Sequence, residues 1–154
     1  MAMLTLRISR CDQDDMAHVF DLGDLAFVFD DGILSTQAQA RYATMVYLSL
    51  DGLVYCLSKL RRGAKRCTFL AADSSFVVLF EQEKQRIYLS GQGKRYGPFV
   101  LDEVLAAVDA GIDHFIADPR NALDPDGAMH GDFHASRLEL KDMLAAKRAS
   151  TGAG

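Results

Sequence analysis

Three stretches of this 154-residue chain hold residue types that could do chemistry. The first is YLSGQGKRYGPF, Tyr88 to Phe99, in which three glycines surround the Lys94-Arg95 pair. A phosphate-cradling loop needs a glycine, four residues, then Gly-Lys and Ser or Thr, leading directly into a helix whose N-terminus meets the phosphate. Here Gly93-Lys94 is followed by Arg95, the residue five before Gly93 is Tyr88, and Pro98 and Phe99 intervene before any helical pattern. The dinucleotide pattern Gly-x-Gly-x-x-Gly fails as well, because Tyr96 stands where its last glycine belongs. The stretch therefore reads as a glycine-rich hairpin loop, with anion binding by Lys94 and Arg95 as the alternative.

The second stretch is HGDFH, His130 to His134, with Asp132 between the histidines and Asp124 and Asp126 nearby. Histidines four apart on a helix turn both imidazoles toward one metal ion. Gly131 argues for a loop rather than a helix, with His134 starting the last helix, and no glutamate follows His130 to act as a base. His130, Asp132 and His134 are accordingly secondary metal candidates, and no resident metal or cofactor is expected. The third stretch, KLRRGAKR, holds five basic residues in eight, Lys59 to Arg66. It resembles a nucleic-acid patch, but Lys59, Arg61 and Arg62 fall in the last turn of a predicted helix, where cations favour the dipole. With no interleaved aromatics and an acidic total, nucleic acid is not the expected partner.

Cys11, Cys56 and Cys67 are odd in number and lack Cys-x-x-Cys spacing. That suits a reducing cytosol better than a disulfide framework, and no histidine motif frames any of them as a nucleophile. Seven aspartates lie between Asp12 and Asp31. Asp21, Asp24, Asp30 and Asp31 form the densest acidic segment on predicted strands, where side chains are rigidly displayed. They are the candidate partner-binding residues, and the loop Asp118–Asp132 is a second, more mobile acidic segment. No nucleophile, base and oxyanion donor can be assembled, so no catalytic residue is assigned.

The elements that would position these residues follow from periodicity. Leu4, Leu6 and Ile8 alternate with Thr5, Arg7 and Ser9, predicting a half-buried strand. Asp31-Gly32, between LAFVF and IL, predicts a hairpin with a type I′ turn. Val46, Leu50, Leu53, Val54, Leu57 and Leu60 make a helical stripe. TFLAADSSFVVLFEQEKQRIYLSG reads as three strands, with FVVLF central because it is continuously apolar. A helix is predicted from about Asp102 with Val104, Leu105 and Val108 inward, and HASRLELKDMLAAKRAS is a final amphipathic helix. The prediction is an α+β fold, a mainly antiparallel sheet with helices on one face. Residues 1–148 form one domain, and residues 149–154 are a frayed tail.

Composition sets limits on function. About half the chain is hydrophobic (49%) and a quarter charged (25%), an ordinary globular balance. No apolar run approaches the ~20 residues of a membrane span, and MAMLTLRISR alternates like a strand rather than a signal peptide. The expected location is the cytoplasm. Residues 1–50 carry three basic and seven acidic side chains (−4), residues 51–100 nine and four (+5), and residues 101–154 five and ten (−5). Such asymmetry either neutralises itself across the fold or steers a charged partner.

Two resemblances add expectations. YGPFVLDEVLAAVDAG resembles the core of GYF adaptor domains, which bind proline-rich peptides: Gly97, Pro98, Phe99 and Gly111 match in identity and spacing. Val104 stands at that family's methionine, Ala107 at its tryptophan, and Ile112-Asp113 at its closing Tyr-Phe. The layout of acidic hairpin, buried helix, strands and closing helices is similar to that of small bacterial immunity proteins, which neutralise a cognate toxin by covering its active site. That resemblance implies a non-catalytic protein-binding domain with a toxin as partner. A GYF-like peptide module and a metal-dependent enzyme on the His130–His134 loop are the alternatives.

Overall fold

The computed structural model describes residues 3–11, 16–39, 42–127 and 130–152. The alternating segment at the start forms β1 (Leu4–Arg10), which pairs antiparallel with β2 (Leu22–Phe29). On its other side β2 pairs with β3 (Gly32–Ser35) and with the short β4 (Thr44–Met45). The chain then leaves the sheet as α1 (Val46–Arg61) and returns as a four-strand antiparallel meander, β5 (Arg66–Leu70), β6 (Val77–Glu83), β7 (Arg86–Gly91) and β8 (Lys94–Phe99). Two helices close the fold, α2 (Leu101–Ala117) and α3 (His130–Gly152).

This is an α+β architecture with antiparallel strands, and among the described residues they are sorted into two four-stranded sheets rather than one. The reason is connection length. Strands close in the chain pair with one another, β1 and β3 with β2, β4 back onto β2, and β5 to β8 in order, whereas α1 separates the two groups. The inner faces of the two sheets meet. Phe27 of β2 packs edge-on against Phe69 and Phe80, at 6.3 and 6.2 Å between ring centres, and Phe29 stacks on Tyr96 at 4.0 Å. All six residues of the predicted α1 stripe are buried, and α1 touches both sheets and α3. β6 is an interior strand, as the FVVLF pattern implies, but only one face is covered: Val78 is fully buried whereas Val77 stays 41% exposed.

The predicted type I′ turn at Asp31-Gly32 does not form. Phe29 pairs with Gly32, so the turn residues are Asp30 and Asp31, and none of the three has a positive φ. Gly32 serves close approach instead, since a Cβ there would collide with the Tyr96 side chain. Type I′ geometry occurs in the second sheet, at Lys84-Gln85 (φ 49° and 67°) and at Gln92-Gly93 (52° and 78°).

The loop assigned to His130–His134 is also corrected, because α3 begins at His130. Phe133, Leu140 and Met143 are buried on one helical stripe. That tertiary burial outweighs the ~1 kcal/mol propensity cost of Gly131. At the other end α3 continues to Gly152, and 153–154 lie outside the described residues.

Candidate functional site

The Tyr88–Phe99 stretch is a strand–turn–strand. Gly91 pairs with Lys94 across the Gln92-Gly93 turn, so no helix N-terminus follows the Gly-Lys. The nearest one, that of α2, already holds Asp102 and Glu103 in its first turn, where an anion would be repelled. Arg95 is engaged on the outer face of the sheet. Its guanidinium lies 3.8 Å over the Tyr88 ring, with Glu81 and Glu83 carboxylates 3.9 and 3.8 Å away. This is a surface charge lattice on a hairpin, not a phosphate cradle.

The four candidate aspartates separate into two groups. Asp21 precedes β2 and accepts a hydrogen bond from Arg10 Nη1 at 3.0 Å and one from the His18 amide at 2.8 Å. Arg10 is buried at 3% exposure and also donates to Asn121 Oδ1 (2.9 Å) and the Arg120 carbonyl (2.8 Å). Asp21 therefore helps to hold the end of β1 against the Pro119–Asn121 turn. Asp24, opposite Ser9 on the outer face of the first sheet, accepts from Thr36 Oγ1 at 2.7 Å. Asp30 and Asp31 are exposed at the far end of β2, about 20 Å along the strand from Asp24. Below them Phe29 is clamped by Tyr96 and Phe99, and exposed Met3 (67%) and Ile33 (47%) flank the turn. The Met3 amide donates to Asp30 Oδ2 at 3.2 Å. The tip is thus a rigid acidic point with an apolar rim.

The outer face of the first sheet also carries a groove of about 610 Å3, walled on one side by α2. Its polar side chains include Arg7, Ser9, Asp24, Ser35, Gln37 and His114. Gly111 lets α2 approach this closely, because a Cβ there would meet the Leu6 carbonyl. No serine, threonine or cysteine is hydrogen-bonded to a histidine among the described residues.

His130 and His134 stack with their rings 6.0 Å apart and nearly parallel, one helical turn from each other. Asp132 lies near Asp51 of α1, whose carboxyl is pushed up by burial, held back by a hydrogen bond from Ser136, and pushed further by the Asp132 charge. Among the described residues, no three His, Cys, Asp or Glu side chains are gathered as metal ligands.

In the basic segment, Arg61 donates to the Met143 carbonyl at 2.7 Å, Arg62 to Ser58 Oγ at 2.7 Å, and Lys59 sits 4.9 Å over the Tyr55 ring. These contacts tie the end of α1 to itself and to α3. At the end of β8, where Gly97, Pro98 and Phe99 lie, Tyr96 and Phe99 are buried, at 6% and 2% exposure, so neither offers an open aromatic surface. The described residues contain no helix long and apolar enough to cross a membrane.

One contact had no motif to announce it. Cys56 of α1 and Cys67 of β5 sit on elements that pack together, and after burial it is Cys67 that pushes the Cys56 thiol up. The usable signal was periodicity, since Cys56 falls on the apolar stripe and Cys67 shares a strand face with Phe69. Comparison with protein-family models, curated proteins and solved structures finds no match for this chain.

Proposed function

We propose that this protein is a non-catalytic protein-binding domain that meets a basic partner through the β2–β3 tip. A bacterial immunity protein, cytoplasmic and covering the active site of a cognate toxin, is the specific form of this reading. The observation that carries it is the exposed Asp30-Asp31 pair on a two-residue turn, locked from below by the Phe29–Tyr96 stack and rimmed by Met3 and Ile33. A toxin acting on nucleic acid or phosphate esters presents a basic cleft. A rigid acidic point associates quickly with such a cleft, because opposite potentials steer the encounter and no loop must be ordered on binding. The exposed apolar rim supplies area that charge alone does not.

The test uses Asp30→Lys with Asp31→Lys, against the product of an adjacent gene copurified with the tagged protein. Asp21 and Asp24 are unsuitable for reversal because they hold Arg10 and Thr36. Association should slow at least tenfold in the double variant, with the melting temperature unchanged, and the wild-type rate should fall as salt rises past ~0.1 M. Binding that ignores both the reversal and salt would remove the tip from the interface.

A further inference from the structure

Cys67 lies two residues before Phe69 on β5, so both point to the inner face of the second sheet, and Cys67 pairs across the ladder with Phe80. Cys56 is on the buried side of α1 at 1% exposure, and α1 packs on β5. Cys67 is the neighbour that, after burial itself, pushes the Cys56 thiol up, and neither cysteine is in a disulfide. Their environments differ. Cys56 is sealed in the core, whereas Cys67 is half-buried on β5, the edge strand of its sheet, where a small reagent can reach it.

We infer that Cys56 and Cys67 form a peroxide-reactive dithiol site, with Cys67 as the attacking sulfur and Cys56 as the resolving one. In the first step the Cys67 thiolate attacks one oxygen of hydrogen peroxide and the O–O bond breaks. Sulfur is oxidised to the sulfenic acid and the other oxygen leaves as hydroxide, which takes up a proton to become water. In the second step Cys56 sulfur attacks Cys67 sulfur, the S–S bond forms, and the S–O bond breaks. The proton from the Cys56 thiol goes to the departing hydroxide. Two thiols and one peroxide become one disulfide and two waters. The roles follow from access and from charge: burial first, and then the hydrogen bond with Cys67, push the Cys56 thiol far up, so it does not meet oxidant as a free thiolate. The product would clip the end of α1 to the edge strand across the short α1–β5 connection. This inference is independent of the acidic tip.

The experiment starts from Cys11→Ser, which removes the exposed third thiol. On treatment with hydrogen peroxide the folded protein should lose both remaining titratable thiols and the mass of two hydrogens. A peptide map should join Cys56 to Cys67, a thiol reductant should reverse the change, and the melting temperature should rise while the bond is present. Adding Cys56→Ser should leave Cys67 as a sulfenic acid that a 1,3-dione captures, and adding Cys67→Ser should leave Cys56 unreactive. Retention of both thiols would overturn the proposal, as would overoxidation of Cys67 without a cross-link. So would capture of sulfenic acid at Cys56 in the Cys67→Ser protein. If a variant folds poorly, a peptide map of the wild-type chain after the same treatment decides between a Cys56–Cys67 cross-link and none.

Discussion

Arg10 ends a surface strand, yet it is buried and spends its guanidinium on Asp21, Asn121 and a backbone carbonyl. Its charge is a joint between β1 and the turn after α2, and Asp21 belongs to that joint. Asp51 is the opposite case, a carboxylate whose Oδ1 is buried and has no hydrogen-bond partner among the described residues. Burial raises its pKa above the ordinary 3.8, chiefly by desolvation, so the folded protein holds that proton more tightly than the unfolded chain. The penalty for ionising it is absent below the unfolded pKa and complete once pH exceeds the folded one. Asp51→Asn keeps an acceptor for Ser136 and removes the charge. It should raise the melting temperature at pH 7, and that gain should vanish at about pH 3. An equal gain at both pH values would show that ionisation is not the cause.

At the scale of elements, α1 is the member on which the two sheets depend. Leu57 is fully buried on it, and Leu57→Ala should cost about 2–5 kcal/mol in urea unfolding, the range for a core leucine replaced without collapse of the site. A change below ~0.5 kcal/mol would mean that the stripe does not face the core. The stripe was legible in the sequence because apolar residues recur at helical spacing regardless of what they pack against. The start of α3 was not, because Gly131 and the preceding Asp-Pro-Asp-Gly turn spoke for a loop. Only the burial of Phe133 against Tyr47, at 5.4 Å between ring centres, draws that first turn into the helix. The hairpins show the same division. Gln92-Gly93 takes a type I′ turn that Gly93 suits and Gln92 adopts against its preference, whereas Asp30-Asp31 forms a turn beside a glycine kept small by Tyr96.

For the whole molecule, the charge asymmetry along the chain is partly absorbed within the fold. Arg66 and Arg95 face Glu81 and Glu83 on the second sheet, and Lys141 and Arg137 of α3 meet Asp109 and Asp113 of α2. Burial pushes Asp113 up, but hydrogen bonds from Lys141 and Arg137 outweigh it and hold the carboxyl below its usual range. Asp30 and Asp31 stand outside these lattices, which is why the tip carries the partner proposal. Among the described residues one continuous core joins both sheets with α1, α2 and α3. The two sheets should therefore melt together, in a single transition that coincides by far-ultraviolet dichroism and by tyrosine fluorescence. Separate midpoints would mean that the Phe27–Phe69 and Phe27–Phe80 contacts do not couple them.

The α+β class, the α1 stripe, most of the strands and the failure of the nucleotide motifs could all be read from the order of residues. Each of these is a matter of local spacing, period two or period 3.6, or of a motif that needs particular neighbours. The tertiary structure alone decided that the strands divide into two sheets. It also decided that Asp21 and Asp24 are hydrogen-bonded within the fold while Asp30 and Asp31 are exposed, that His130 and His134 share a helix, and that Cys56 and Cys67 lie on elements that pack together. Those outcomes depend on which surfaces find one another in space. Residue type records a side chain's chemistry, but whether that chemistry is spent inside the fold or left facing outward is set by packing.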